Sequence, residues 1–408
     1  MTATSETNEM SSTGRSPATI THAEAVERAR GMADAIRSRS AEAEALRRMP
    51  EATVQQFVDA GLVRLLTPRA FGGHELTFDA FADVTIEIAR ADGSAGWCFS
   101  FLNVHSWLLA TFPVKAQQDV WRENPDARLA NVNVPAGQVS PVEGGYRLSG
   151  DWPFASGITH CDWALLAGIV PPARGAEGGP PDVRLFLVPR EDWEVRDTWH
   201  VTGQRGTGSH NVVVKDRFVP QHRTVSMAEL SSGQTPGGAY HANPLYRLPI
   251  ITALAPSLIA TIVGASQGAY RRWRAATRDR TTMYSREQVA SLSHQQIRLA
   301  EISAEIETAE LLFRRTLDTL RQGGPLSMEQ RVRIRRDFAY SAVLCVRAVE
   351  RIYTASGGGA NYESNPLQRD WRDVHAMASH AGINFDAAAE NFGRMELGLP
   401  LNPRDPLA

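Results

Sequence analysis

Apolar residues recur at helical spacing through the first part of the chain. Val54, Phe57 and Val58 share one face of a predicted helix, and Pro50 stands where that helix would begin. Runs of the same kind continue until the character of the sequence changes. The pattern predicts an N-terminal helical domain over residues 20–126.

Apolar and polar residues alternate over short runs in the middle of the chain. Residues 163–170 and 183–188 are two such runs, rich in Val and Leu and bounded by Gly, Pro or Asp. Short alternating runs between turn residues are typical of strands joined by tight turns. The pattern predicts a middle antiparallel β domain over residues 127–230.

Helical spacing returns after a Gly/Ser-rich linker at residues 231–238. Several long apolar stripes with short connections are typical of a helical bundle. The predicted helices cover residues 248–278, 286–321, 328–355 and a last segment that carries both His375 and His380. The predicted fold class is therefore α+β, with a C-terminal four-helix bundle over residues 231–408.

Two stretches bear on the location of the protein. Residues 1–19 are rich in Ser and Thr and lack the apolar segment of a signal peptide, so we expect a disordered tail. Residues 245–263 form the longest apolar run, but Arg247 and two prolines interrupt it. That interruption favours a buried helix over a membrane span.

Charge and cysteine usage narrow the class further. The net charge of -2 argues against a nucleic-acid or anionic-membrane partner held by bulk charge. Cys98, Cys161 and Cys345 lie far apart and have no metal-ligand spacing, which fits a reduced, cytoplasmic setting. His375 and His380 are five positions apart rather than three or four, so no metal site is expected.

Two polar positions stand out among apolar surroundings. His105 lies in a helix that is otherwise apolar and aromatic, where a lone His is more often a core residue than a catalyst. Ser156 and Gly157 end the turn that begins at Trp152, and they could present a hydroxyl and an amide to a flat ligand. A turn that only links two strands explains them equally well.

Glycines mark two further loops. Gly357, Gly358 and Gly359 could turn their amides toward an anion, although a helix end followed by a charged surface helix is the plainer interpretation. Residues 203–208 are glycine-rich but match neither a P-loop nor GxGxxG. The sequence therefore predicts no built-in NAD(P)H site.

Several motifs together resemble the acyl-CoA dehydrogenase superfamily, and the resemblance covers residues 21–400. The superfamily has the same order of helical, β and helical domains. The motifs are ARADGSAGW at residues 89–97, GDWPFASG at 150–157, GQRGTGSH at 203–210 and PLQRDWRD at 366–373.

The chain departs from the dehydrogenases at the position of their late catalytic Glu. That position, eight residues after Asp373, is Ala381. The chain instead resembles the two-component (group D) flavin-dependent monooxygenases of this fold, such as the oxygenase component of p-hydroxyphenylacetate hydroxylase. The matching elements are His105, Ser156 with Gly157, His375 and His380.

The resemblance implies an oxygenase that uses reduced flavin (FMNH2 or FADH2) and O2. A C4a-hydroperoxyflavin would hydroxylate an aromatic, phenolic substrate, and a separate NAD(P)H:flavin reductase would supply the flavin. In that family the His equivalent to His105 contacts the phenol, the Ser equivalent to Ser156 approaches flavin N5, and the His equivalent to His380 lies near the flavin and the oxygen site.

The resemblance also implies cofactor contacts and assembly. The turn from Trp152 to Gly157 and His375 are expected to contact the flavin. Arg278, Arg280 and the glycines at 357–359 are candidates to bind its phosphate. These regions come from different subunits in the superfamily, so a homotetramer is expected. Side chains of residues 224–240 and 244–249 are expected to shape the substrate pocket.

Three alternatives stay open at this point. The first is a monooxygenase of the same fold that oxidises nitrogen or sulfur, on amino sugars or thiophenes. The second is an acyl-CoA dehydrogenase, which would bind oxidised FAD and acyl-CoA tightly. The third is a non-catalytic helical interaction protein, which would bind no flavin.

Overall fold

The computed structural model describes residues 19–172, 181–322 and 326–403. The predicted tail at residues 1–19 thus lies, except for its last residue, outside the described part of the chain. The described residues follow the predicted order of helices, sheet and helices.

Six α-helices form the N-terminal part within the described residues. The first is capped by Thr21, whose hydroxyl accepts the Glu24 amide while the Glu24 carboxylate accepts the Thr21 amide, which is a capping box. The fifth is capped by Asp92, whose side chain accepts the amide of Ala95. The helices are α1 (His22–Ser38), α2 (Ser40–Leu46), α3 (Glu51–Asp59), α4 (Phe78–Ala91), α5 (Gly93–Leu109) and α6 (Val114–Trp121).

In the part of the chain that the structure describes, a seven-stranded sheet follows, with the spatial order β5-β6-β2-β1-β3-β4-β7. The prediction of an antiparallel sheet was wrong for one pair, because β1 and β3 run parallel with Leu129 opposite Trp163. After β2 the chain crosses over the end of β1. Strand β3 then pairs with the other edge of β1 and runs in the same direction as β1. The strands are β1 (Leu129–Val142), β2 (Gly145–Ala155), β3 (Trp163–Val170), β4 (Asp182–Pro189), β5 (Trp193–Arg196), β6 (His210–Pro220) and β7 (Thr224–Ser226).

The last part of the chain is helical and contains a break that the sequence pattern did not predict. Helix α12 ends at Ala378, and His380 begins a short turn before α13, so His375 and His380 do not share a helix. Helix α10 begins at Ser293, later than expected. The helices are α7 (Met227–Ser232), α8 (Pro236–Tyr240), α9 (Ile250–Asp279), α10 (Ser293–Arg321), α11 (Met328–Ala355), α12 (Pro366–Ala378) and α13 (Phe385–Glu396).

Helix α9 is the central helix of the core. It is long and apolar enough to cross a membrane, but 83% of its most apolar window is buried inside the protein. Gly264 and Gly268 let it approach the end of α4 closely, because an added Cβ would lie 2.6 Å from the Ile86 carbonyl and 2.4 Å from that of Arg90. Helix α9 therefore touches α4, α5, α11 and α12 along its length.

Candidate active site

One face of α5 carries a row of aromatic rings. Trp97, Phe101 and His105 are four residues apart and so lie on the same side of the helix. The ring centroids are 5.0 Å apart for the first pair and 5.2 Å for the second. The His380 ring lies 6.0 Å from Trp97, at the other end of the row. Local helix geometry and the turn after α12 thus bring His105 and His380 to one surface.

His105 is a neutral imidazole with a defined tautomer. Its Nδ1 lies 2.9 Å from the Leu129 carbonyl, so Nδ1 donates and carries the hydrogen. Burial lowers the pKa of His105 to about 4, against a smaller raising effect of the Leu129 bond. The remaining nitrogen, Nε2, therefore has a lone pair that can accept a hydrogen bond.

Ser156 is turned toward the same surface by an irregularity in β2. Trp152 pairs with Val212 and Ala155 with His210, so β2 has one more residue than β6 in this interval, which is a β-bulge. Gly157 follows with a φ of 70°, a conformation that glycine adopts without strain.

The Ser156 hydroxyl has two partners within the protein. Trp97 Nε1 donates to Ser156 Oγ across 3.1 Å, and Ser209 Oγ lies 2.8 Å from it. Ser209 in turn lies 2.7 Å from the Thr207 hydroxyl, which donates to the Gln204 carbonyl across 2.9 Å. Ser156 is therefore the outer member of a row of hydroxyls.

His380 presents an N–H to the site. Its Nδ1 accepts the Gly382 amide across 3.0 Å, so the neutral ring carries its hydrogen on Nε2. The residue is open to solvent in the single chain, but the surrounding atoms still desolvate the ring and lower its pKa. Ala381, where a dehydrogenase would place Glu, lies in the same turn.

A cavity of about 780 Å³, counting its open mouth, adjoins this turn. Gly382 lines it together with Thr252 of α9 and Phe338 of α11. Ser231 and Pro249 also line it, and they lie within the two segments predicted to shape the substrate pocket, residues 224–240 and 244–249.

Two of the predicted flavin contacts lie elsewhere. Trp152 is fully buried within the sheet, and its indole N–H donates to the Ala167 carbonyl across 2.7 Å. His375 packs on the Trp371 ring at 4.4 Å, and its Nδ1 bonds the Trp371 carbonyl. Neither side chain joins the row of rings on α5.

Of the two arginines predicted to bind the flavin phosphate, one lies beside the glycines at 357–359. Arg280 donates to the carbonyls of Ala355 and Ser356, and its guanidinium lies 4.0 Å from where a Cβ on Gly357 would be. It therefore stands beside the three glycines. Arg278, in contrast, is exposed and pairs with its neighbour Asp279.

The phosphate candidates are remote from the rings within one chain. The His380 turn lies near the start of α9, because a Cβ on Gly382 would be 3.5 Å from the Leu258 side chain. Arg280 caps the far end of the helix. Leu258 and Arg280 are 22 positions apart in sequence, which is roughly 33 Å at about 1.5 Å per helical residue. A ribityl chain cannot span that distance between a flavin ring and its phosphate.

The loop at residues 203–208 is fastened to α12. The Gln204 amide donates to Asp373 across 2.6 Å, and a Cβ on Gly203 would lie 2.2 Å from the Arg372 carbonyl. Burial and the charge of Asp92 raise the pKa of Asp373 to about 7, although Gln204 and nearby arginines oppose the shift. These glycines serve close packing, and the loop positions Thr207 and Ser209.

The hydrogen-bonding groups and the apolar surface of the site suit reduced flavin. Ser156 offers an acceptor, His380 offers a donor, and the rings of Trp97 and Phe101 offer apolar surface. A flavin ring has both N–H and carbonyl groups along one edge and two flat faces. The residues present therefore fit such a group.

Comparison with known proteins decides the family. The chain is 37% identical to the oxygenase component of FADH(2)-dependent resorcinol hydroxylase of Rhizobium sp. (strain MTP-10005), over 96% of this chain and 98% of that protein. The chain belongs to the family of flavin-dependent oxygenase components. Models of the acyl-CoA dehydrogenase N-terminal and C-terminal domains match residues 19–123 and 257–385 of this oxygenase.

Solved structures agree with this assignment. The oxygenase resembles 3-HSA hydroxylase from Rhodococcus sp. RHA1 with a TM-score of 0.88 and 34% identity, covering 95% of this chain and 100% of the other. XiaF from Streptomyces sp., solved with FADH2 and glycerol, has a TM-score of 0.86 and 32% identity, covering 93% and 96%. The predicted family, fold and use of reduced flavin are confirmed, and the dehydrogenase and non-catalytic alternatives are set aside.

Sequence reasoning missed Ser209 and Thr207. Thr207 lies in the glycine-rich loop at residues 203–208, and Ser209 directly follows that loop. The available signal was a pair of hydroxyl residues just before a strand that pairs with the Ser156 turn.

Proposed function

We propose that this oxygenase hydroxylates the ring of a phenol. Reduced flavin would come from a separate NAD(P)H:flavin reductase, and O2 would be the second substrate. The observation that carries the proposal is the position and tautomer of His105, whose Nε2 can accept a hydrogen bond on the surface that also holds Ser156 and His380.

A phenol is the acceptor chemistry that His105 suits. A phenol with a pKa of about 10 is mostly un-ionised at neutral pH, and the ring becomes more electron-rich as its O–H is polarised. The buried His105, with a pKa of about 4, is too weak a base to hold the phenol proton as a stable imidazolium. Its role is therefore to accept the O–H hydrogen bond and draw the proton away as the ring reacts.

Bound reduced flavin supplies electrons that activate O2, and this chain's residues hold the flavin and keep water out. Ser156 accepts an N–H from its edge, while His380 can donate to an oxygen. Trp97 and Phe101 cover the site with apolar surface, which limits loss of the activated oxygen as peroxide. The two relatives named with FADH2 support reduced FAD as the flavin to test first.

The remote position of the phosphate candidates supports sites that are shared between subunits, and we propose that the subunits form a homotetramer. Leu258 lies beside the His380 turn. Arg280, with the glycines at 357–359 next to it, lies roughly 33 Å farther along α9. In the proposal they bind the phosphate of a flavin whose ring lies in a neighbouring subunit.

The test supplies NADH, FAD and a flavin reductase and measures hydroxylated product by mass spectrometry. Resorcinol and other simple phenols are compared with their methyl ethers, which have the same ring but no O–H. Turnover of phenols alone is expected. Equal turnover of the ethers would remove the role of His105, and turnover only of amines or sulfides would favour nitrogen or sulfur oxidation.

A further inference from the structure

A buried row of hydroxyls ends at the candidate site. Thr207 and Ser209 are 0% and 3% exposed, whereas Ser156 is partly open. The oxygen atoms are 2.7 Å apart from Thr207 to Ser209 and 2.8 Å apart from Ser209 to Ser156. The row continues inward to the Gln204 carbonyl.

The hydrogens in this row can point in only one direction if every bond is made. A carbonyl oxygen only accepts, so Thr207 donates its single hydrogen to Gln204. Ser209 must then donate to Thr207, and Ser156 must donate to Ser209. The indole of Trp97 donates to Ser156. Ser156 is left with one lone pair and no hydrogen for a ligand.

The neighbouring amides are committed as well. The Ser156 N–H donates to the Phe154 carbonyl across 3.0 Å, and the Gly157 N–H donates to the Thr207 carbonyl across 2.9 Å. This turn therefore presents an acceptor, and no donor, to whatever binds beside it.

We infer that the hydroxyl row makes the site select the redox state of the flavin. Reduced flavin carries a hydrogen on N5 and can donate it to Ser156, whereas oxidised flavin has only a lone pair there. Ser209 and Thr207 are positioning residues that hold Ser156 as an acceptor. The inference rests on the proposed function, which places the flavin at Ser156.

Reversing the row to suit oxidised flavin loses a hydrogen bond. Ser156 can donate to N5 only by withdrawing its hydrogen from Ser209. If Ser209 then turns its own hydrogen to Ser156, Ser209 and Thr207 face each other at 2.7 Å with no hydrogen between them, so one bond is lost in either arrangement. One lost bond of this kind corresponds to roughly threefold to tenfold in an equilibrium constant. Because oxidised flavin is the spent form, this preference favours its exchange for reduced flavin.

The test is a pair of dissociation constants for each variant of the full-length protein. FAD is titrated in its oxidised form and, without oxygen, in its dithionite-reduced form, and the ratio of the two constants is compared. The wild type is expected to bind reduced FAD roughly threefold to tenfold more tightly than oxidised FAD. Ser209→Ala removes the acceptor for the Ser156 hydrogen, and the isosteric Thr207→Val removes the acceptor for the Ser209 hydrogen. Ser156 can then donate to N5 of oxidised flavin without loss of a bond, so each variant should lower the ratio roughly threefold to tenfold.

Conservative variants separate hydrogen-bond direction from packing. Ser209→Thr and Thr207→Ser keep the hydroxyls and should keep the wild-type ratio. Ser106→Ala is the matched control, because its buried hydroxyl lies on the same helix as Trp97 but bonds only the Leu102 carbonyl.

Each outcome decides between the hypotheses. A wild type that binds both redox states equally overturns the inference, as do Ser209→Ala and Thr207→Val with an unchanged ratio. In either case the proposed hydroxylation stands, because flavin still binds. Absence of binding to either redox state would overturn the inference and the proposed function together.

Discussion

The single residue with the largest predicted effect on the reaction is His105. Its Nδ1 is used by the Leu129 carbonyl, so only Nε2 is available to a substrate. Asn retains a donor near the Nδ1 position but has nothing in place of Nε2. His105→Asn should therefore fold normally and lose turnover of a phenol, by on the order of 10²–10⁴-fold.

The measurement for His105 combines product yield, peroxide release and reduced-FAD affinity. We expect product to fall, peroxide per NADH to rise and affinity to stay within about twofold. Because the pKa of His105 is lowered to about 4, its neutral form persists above pH 5.5, so it should add no ionisation to the pH profile from there to pH 8. Wild-type product yield in His105→Asn would refute the role.

The contacts of the residues in this site were only partly predictable from the sequence. The spacing of Trp97, Phe101 and His105 on one helix face can be counted from the sequence, so this part of the site was predictable. The partner of Nδ1 could not be, because Leu129 comes from the first strand. Trp152 was placed with the flavin on motif grounds, yet the sheet buries it completely.

At the scale of elements, Asp373 of α12 fastens the loop that holds the hydroxyl row. A carboxyl whose pKa rises from 3.8 to about 7 on folding binds a proton more tightly in the native state. The free energy of unfolding should therefore fall as pH rises through that interval, by up to about 1.4 kcal/mol per pH unit.

Asp373→Asn isolates this contribution. The amide keeps an oxygen for the Gln204 N–H and has no charge to lose or gain. Measured by urea unfolding at pH 5 and pH 8, the variant should gain stability relative to the wild type as pH rises. A difference that is the same at both values would show that Asp373 does not titrate in this interval.

Other elements escaped prediction because their form depends on distant contacts. The parallel pairing of β1 with β3 follows from where the chain returns to the sheet, which no local pattern records. The break between α12 and α13 contains no proline and contains one glycine, Gly382, whose amide bonds His380. Helical spacing alone therefore predicted one continuous helix across the break.

At the scale of the whole molecule, the proposed shared site can be tested through Arg280. Arg280→Ala should weaken FAD binding roughly tenfold or more, since a charged hydrogen bond to phosphate is lost. Light scattering should show the oligomer unchanged. Arg274→Ala is the matched control, because it is exposed on the same helix and stacks only on Tyr270.

Two results would contradict the shared site. One is a protein that remains monomeric at the concentrations where it binds flavin and hydroxylates its substrate. The other is an Arg280→Ala variant with wild-type FAD affinity. Either would require the phosphate to be bound near the His380 turn of the same chain.

The length of α9 has a genetic consequence. If its two ends serve different flavins, a lesion at His105 and a lesion at Arg280 damage different halves of each site. Two inactive alleles, one with each lesion, would then form mixed oligomers in which some sites contain neither lesion. Their co-expression would restore part of the activity, whereas two alleles with lesions at the same end would never complement each other.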